Sequence, residues 1–315
     1  MIKNIIRLIR WDNLLFIAIA LWVMEKWVVV PLLQQNYFPE QLSNGLLACI
    51  ILAFVFISAG GYVINDYFDF KIDEINRPDK VVVMHGLSKN ATMRLYQILT
   101  GIGIIFGAIV AWELKHWVLG LIFLFIPGIL WFYSASYKRQ LIIGNLIVSL
   151  LAGFGPFLII IPNIALLSRY GDFMQGSDIF RQIYLWLGGF GVFAFLTTWT
   201  REIIKDIEDQ VGDREFECHT VPIVWGDMMA KIMASLLILI TMTLLIFIWV
   251  KVLPFPIAWQ NLPSRYIMLG LLVPFVGELV LLWRASIPSD YRSAQLLMKF
   301  IMFMGVMFSF AVRFA

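Results

Sequence analysis

The segment NDYFDFKIDEINRPDK, residues 65–80, follows an apolar run over 46–64 and precedes another that begins near residue 95. Asp66, Asp69 and Asp73 stand at i, i+3 and i+7 within it. On a helix that spacing puts three carboxylates on one face. Like charges so placed repel by a few tenths of a kcal/mol per pair, so the arrangement is unfavourable unless a cation bridges it. A second segment, TREIIKDIEDQVGD at 200–213, repeats the pattern with Asp206, Asp209 and Asp213, and it too follows an apolar run, 183–199. One acidic helix end beside a membrane is usually solvated interface. Two with equal spacing at matching places call for a chemical explanation.

The 315 residues are 61% hydrophobic and 14% charged, where a soluble domain is about a quarter charged. Apolar runs recur and are continuous rather than alternating, which points to helical spans and away from a β-barrel. The fold class expected is therefore all-α, a polytopic membrane protein with nine transmembrane helices. They fall near 14–34, 45–64, 95–112, 117–133, 141–162, 183–200, 228–252, 265–284 and 294–312. Glu25 and Lys26 put the outer third of the first span at the interface. The segment 163–182 reads as loop. MIKNIIRLIRWDN reads as a basic amphipathic lead-in, with no small-residue cleavage site after it. With the N-terminus in the cytoplasm of an inner-membrane protein, 17 of the 24 Lys and Arg fall on the cytoplasmic side, and both acidic motifs lie there too.

The chain reads as a single membrane-embedded domain, 1–315, whose halves, about 1–135 and 136–315, echo each other weakly. Cys49 and Cys218 suggest neither disulfide nor metal site, and His85, His116 and His219 are scattered. The net charge of +3 is modest, and no nucleic-acid partner is expected. Gly153, Gly155 and Pro156 in the fifth span should allow close packing or a kink.

Six aspartates at one membrane face form an oxygen-donor set. Mg²⁺ takes such donors, usually one or two carboxylates plus phosphate oxygens. Arg77, Lys80, Lys138, Arg139, Arg201 and Lys205 interleave with them, which suits a polyanion such as diphosphate. An apolar chamber behind would take a hydrocarbon tail. The combination points to a lipid diphosphate, with its head at the cytoplasmic face and its tail among the spans in the bilayer. Tyr62, Tyr67, Tyr133 and Tyr137 are candidates to shield an allylic cation, with packing the simpler reading of each. Glu202 either extends the second acidic face or pairs with Arg201 or a neighbouring loop.

These residues resemble the UbiA-type membrane prenyltransferases. NDYFDFKID is similar to that family's NDxxDxxxD motif, and KDIEDQVGD to its second aspartate-rich motif. HTVPIVWG, Asn13, the 133–138 loop and IIGNLIVSLLAGFG with Gly144 and Asn145 are also similar. The resemblance implies a nine-span UbiA-like bundle. It also implies Mg²⁺-dependent transfer of a prenyl group from a prenyl (isoprenoid) diphosphate donor to a lipophilic acceptor, both drawn from the lipid bilayer. Carried over, Asp66, Asp69, Asp73, Asp206, Asp209 and Asp213 are the catalytic and metal-holding residues. Asn13, Asn65, Arg77, Lys138, Asn145, Arg201 and Lys205 are the substrate-binding ones. REIIKDIEDQVGD resembles the ether-lipid branch, which alkylates a glycerol hydroxyl and here would take a prenylglycerol phosphate. The chain departs from the family after Arg77-Pro78, where VVVMHGLSKN replaces a Pro-Ser-Gly turn, so an aromatic quinone precursor stays open as acceptor. A cation transporter is the alternative from another class, but it should carry ionisable residues at mid-span, where Glu278 is the main exception. A CDP-alcohol phosphotransferase would open its motif with Asp-Gly, which is absent.

Overall fold

The computed structural model describes residues 2–174, 177–253, 255 and 257–313, with the backbone alone for 80 and 172–174. The Lys80 side chain thus lies outside the described residues. Among these residues the secondary structure is helical with no strand, and one isolated bridge joins Val83 and Leu87. After a short α1 (Ile2–Leu8), nine described segments are long and apolar enough to cross a membrane. They are α2 (Trp11–Gln35), α3 (Asn44–Asn76), α4 (Lys89–Leu114), α5 (Trp117–Ala135), the span Ile143–Gly171, α8 (Ile179–Glu208), α10 (Val221–Lys251), α11 (Leu262–Arg284) and α12 (Pro288–Arg313). The span Ile143–Gly171 contains α6 (Ile143–Phe154) and α7 (Phe157–Leu167), separated at Gly155-Pro156 as that pair suggested. A short α9 (Gln210–Glu215) follows α8.

Local chemistry sets several ends. Ser43 and Ser88 cap α3 and α4, accepting from the backbone N–H of Leu46 and Ala91 at 3.2 Å each. Lys115 ends α4 in the left-handed region, at φ 53°. The helices outrun their hydropathy. α3 was expected to leave the membrane near residue 64, but nothing in 65–76 breaks a helix and it continues to Asn76. Its 33 residues reach about 50 Å, well beyond a hydrocarbon core of about 30 Å. The segment 163–182, read as loop, begins inside α7 and continues through 3-10 turns, Ser168–Met174.

The chain divides into two compact units. The first holds Met1–Lys26, Leu32–Lys138 and Phe157–Tyr184; the second holds Trp27–Pro31, Arg139–Pro156 and Leu185–Ala315. In lipid, burial of apolar surface against another helix gains little over lipid contact, so close packing through small residues matters most. In the first unit, Gly103 of α4 meets α3 so closely that a Cβ there would lie 2.9 Å from the Ala53 carbonyl oxygen. In the second, a Cβ on Gly153 of α6 would lie 2.9 Å from the Gly191 carbonyl oxygen of α8. Ile203, Ile204, Ile238, Phe275, Met298 and Ile301 fill the core of that unit. Outward-facing Ile105, Phe125, Phe247 and Leu269 are exposed, as lipid-facing positions should be.

Two acids within the spans are fully buried. Glu25, expected at the interface, is instead fully buried in a π-helical segment of α2, Met24–Val29. Asn163 of α7 explains this: its Nδ2 donates to Glu25 Oε2 at 2.7 Å, giving the carboxylate a partner away from water. Lys26 pairs with Glu40. Glu278 of α11 is fully buried, with neither carboxylate oxygen hydrogen-bonded among the described atoms.

Candidate functional site

Because α3 is unbroken to Asn76, Asp66, Asp69 and Asp73 share a face of its last turns, each half-buried. Asn65 Nδ2 donates to Asp69 Oδ2 at 2.9 Å. Lys138, on the 3-10 turn Tyr137–Arg139 after α5, forms an ion pair with the same Asp69. Arg10 Nη2 donates to Asp66 Oδ1 at 2.8 Å, and its guanidinium lies 4.9 Å from the Tyr62 ring centroid. The Arg10 backbone is left-handed, φ 52°, a conformation an arginine adopts only where its surroundings hold it there. It turns the chain from α1 into α2, whose first turn carries Asn13. Arg77 closes α3, its backbone N–H donating to the Asp73 carbonyl at 2.8 Å. Lys89 lies 4.9 Å from the Tyr67 ring. Tyr62 and Tyr67, proposed as cation shields, thus already face the cations of Arg10 and Lys89.

In the second unit, Asn145 of α6 donates from Nδ2 to Asp206 Oδ2 at 2.9 Å. Asn145 is set by a strained turn. Ile143 N–H donates to the Leu141 carbonyl at 2.7 Å around Ile142 at φ 63°, ψ −36°, a left-handed γ-turn unusual for a β-branched residue. Arg201 pairs with Glu202 at 2.6 Å, and Lys205 reaches it at 3.8 Å. Glu202 thus makes the expected pair with Arg201.

The second motif does not lie on one continuous helix. α8 stops at Glu208, Asp209 turns at φ −91°, ψ 4°, and Asp213 belongs to α9. Backbone bonds from Asp209 N–H to the Lys205 carbonyl and from Asp213 N–H to the Asp209 carbonyl still bridge the break. HTVPIVWG leads into α10, with Thr220 as its N-cap, Pro222 in its first turn and a kink at Gly226, φ 82°.

Two features escaped the sequence reading. Arg10 is one; a basic residue in an amphipathic lead-in carries no sign of its partner 56 residues on. The other is Glu208, nearly fully buried, which takes Arg292 at 3.0 Å and a hydrogen bond from Gln295, both on α12.

Among the described residues, no three His, Cys, Asp or Glu side chains converge into a metal site. Helix geometry gives the reason: Asp66 and Asp73 are about 10.5 Å apart along the axis. The donors nonetheless suit Mg²⁺, which needs only one or two carboxylates when phosphate supplies the rest.

Residues 13–306 match the UbiA prenyltransferase family. The chain belongs to that family. It is a prenyltransferase, transferring an alkyl group other than methyl. It is 31% identical over 238 residues to the digeranylgeranylglyceryl phosphate synthase of Methanosphaera stadtmanae, covering 75% of this chain and 74% of that one. The synthase of Thermococcus sibiricus is 35% identical over 179 residues, 56% of each chain, so that match spans little more than half of the relative. A UbiA homolog from Archaeoglobus fulgidus, solved bound to GPP and Mg²⁺, shares the fold with a TM-score of 0.59 at 14% identity, covering 99% of this chain and 100% of that one. The nine-helix UbiA fold expected from the motifs is therefore the fold observed.

Proposed function

We propose that this UbiA protein transfers a prenyl group from an isoprenoid diphosphate to the hydroxyl of a prenylglycerol phosphate, as one membrane-embedded domain with its N-terminus and both aspartate motifs cytoplasmic. One observation carries the reading of the site. In each unit a motif aspartate accepts an asparagine amide at 2.9 Å, Asp69 from Asn65 and Asp206 from Asn145. Such bonds fix carboxylate orientation before a ligand arrives. Asp66, Asp69, Asp73, Asp206, Asp209 and Asp213 are the residues that would hold Mg²⁺, which would supply positive charge against the departing diphosphate.

The chain's own cations do the rest. Lys138 and Arg10 stand beside the first motif, and Arg201 and Lys205 beside the second. They bind diphosphate oxygens together with Arg77, which closes the helix that carries the first motif. The bond from C1 of the prenyl chain to the diphosphate oxygen breaks with its electron pair going to diphosphate. The acceptor hydroxyl then bonds to C1 and releases its proton. Apolar span interiors exclude water from the allylic cation. The synthases among the relatives support the glycerol acceptor over an aromatic one.

The test is product analysis by mass spectrometry with purified protein, Mg²⁺, prenyl diphosphates of several lengths, and prenylglycerol phosphate against an aromatic acceptor. An ether product is expected. Product from the aromatic acceptor alone would overturn the acceptor assignment. Full turnover in both Asp66→Ala and Asp206→Ala would overturn the site.

A further inference from the structure

At the end of the first unit away from Asp66–Asp73, a cavity of about 750 Å³ opens. It lies between the last turn of α4, α7 with the turn after it, and the start of α8. α4 begins beside the first motif, with Lys89 over Tyr67, and Leu114 is 25 residues further on. At about 1.5 Å per residue that is about 38 Å, more than a hydrocarbon core. The cavity therefore faces the other leaflet, far from the carboxylates that act on the donor.

Its polar lining is cationic. Lys115, His116 and Arg169 are joined by Ser168 and Tyr184, and no Asp or Glu lines it among the described residues. Neither Lys115 nor Arg169 is in an ion pair with a described carboxylate. Arg169 is held in place by donating from Nη2 to the Leu114 carbonyl at 2.7 Å, one of the acceptors a helix end leaves over. That bond uses one of its five N–H groups and leaves the charge. His116 Nδ1 is buried with no hydrogen-bond partner among the described atoms. The remaining wall, Ile161 and Ile164 among it, is apolar.

Depth identifies the ligand. Trp112 and Trp117 flank Lys115 and His116, 69% and 66% exposed, their rings edge to face at 6.1 Å. Exposed tryptophans at a span end mark the membrane–water interface, which is where lipid phosphates lie. A cationic recess with an apolar wall at that depth matches a charged headgroup joined to a hydrocarbon chain. We propose that this cavity binds the phosphate headgroup of an anionic membrane lipid from the leaflet opposite the aspartate motifs.

The experiment is native mass spectrometry of the full chain in phosphatidylcholine nanodiscs titrated with phosphatidic acid. Lys115→Gln and Arg169→Gln should each weaken phosphatidic acid retention about fivefold, the about 1 kcal/mol that a basic residue contributes at an anionic surface. Arg169→Lys, which keeps the charge, should stay near wild type. Lys251→Gln, an exposed lysine outside the cavity, should change nothing. Unchanged retention in the Lys115→Gln/Arg169→Gln double variant overturns the proposal, as does an equal loss in Lys251→Gln. Inorganic phosphate displacing the lipid mole for mole would reassign the site to free phosphate and overturn the lipid source. The readout is lipid retention, so it succeeds or fails independently of the prenyl-transfer assay.

Discussion

Replacing Asn145 by alanine removes a side-chain amide that donates to Asp206, a 2.9 Å bond onto a carboxylate. Hydrogen bonds to charged groups contribute about 1.5–3 kcal/mol. Asp206 is half-buried, so water recovers part of that, and the lower figure applies. About 1.5 kcal/mol is about tenfold in an equilibrium constant. The loss should fall on whatever the oriented carboxylate holds. Residues that orient metal ligands typically cost 10–100-fold in metal affinity or activity when removed. Asn145→Ala is therefore expected to raise the Mg²⁺ concentration for half-maximal diphosphate release about tenfold, measured with a labelled donor at saturating acceptor. Asn145→Asp, which sets a second negative charge against Asp206, should be worse. In an Asp206→Glu background the Asn145→Ala effect should shrink, because the bond's geometry is already lost. If Asn145→Ala matches wild type across the Mg²⁺ titration, or if its penalty is undiminished beside Asp206→Glu, Asn145 does not act through Asp206.

Chelating divalent ions should stop transfer while leaving the helical circular-dichroism signal intact, and added Mg²⁺ should restore the rate. Lys138→Ala strips the cation from Asp69, where both side chains are largely buried. It should raise the KM for the prenyl diphosphate about tenfold, on a loss of about 1.5 kcal/mol for a charge-assisted bond, with Lys138→Arg recovering part of it. Gly103→Ala forces a Cβ to 2.9 Å from the Ala53 carbonyl, backbone that cannot swing aside. A loss of about 1–3 kcal/mol, read as lower thermal stability in detergent, is expected. Arg292→Ala removes the guanidinium that pairs with Glu208 at 3.0 Å and leaves it the neutral amide of Gln295. Breaking a buried pair costs about 3–5 kcal/mol. Arg292 is half exposed, so about 2 kcal/mol is the expectation, vanishing in a Glu208→Gln background.

How much of this was written in the sequence varies with the kind of signal. Spans were legible because hydropathy is additive along the chain, and every expected span contains or overlaps an observed one. The helical continuation of α3 to Asn76 was not, because a polar extension beyond the bilayer looks like loop to a hydropathy reading. The i, i+3, i+7 spacing did carry it, and Asp66, Asp69 and Asp73 share the expected face. The same spacing misled at Asp209, where the helix breaks with no proline or glycine at the residue itself. Asn145 was found only through resemblance, and Lys138 stood out only as one of several interleaved cations; their partners, Asp206 and Asp69, are distant in sequence. Arg10 was overlooked and Glu25 misplaced for the same reason. Each is defined by a partner on another helix, which no local pattern encodes.

The bond from Asn163 to Glu25 joins residues 138 apart in the chain and fully shielded from solvent. A stack of apolar helices tolerates sliding and rolling, since one greasy face fits another about as well as the next. A single amide–carboxylate handshake ends that freedom: rolling α2 by one residue, about 100°, would swing the acid away from its partner. Its consequence is a single rotational setting of α2 against α7, which apolar contact alone would leave undetermined.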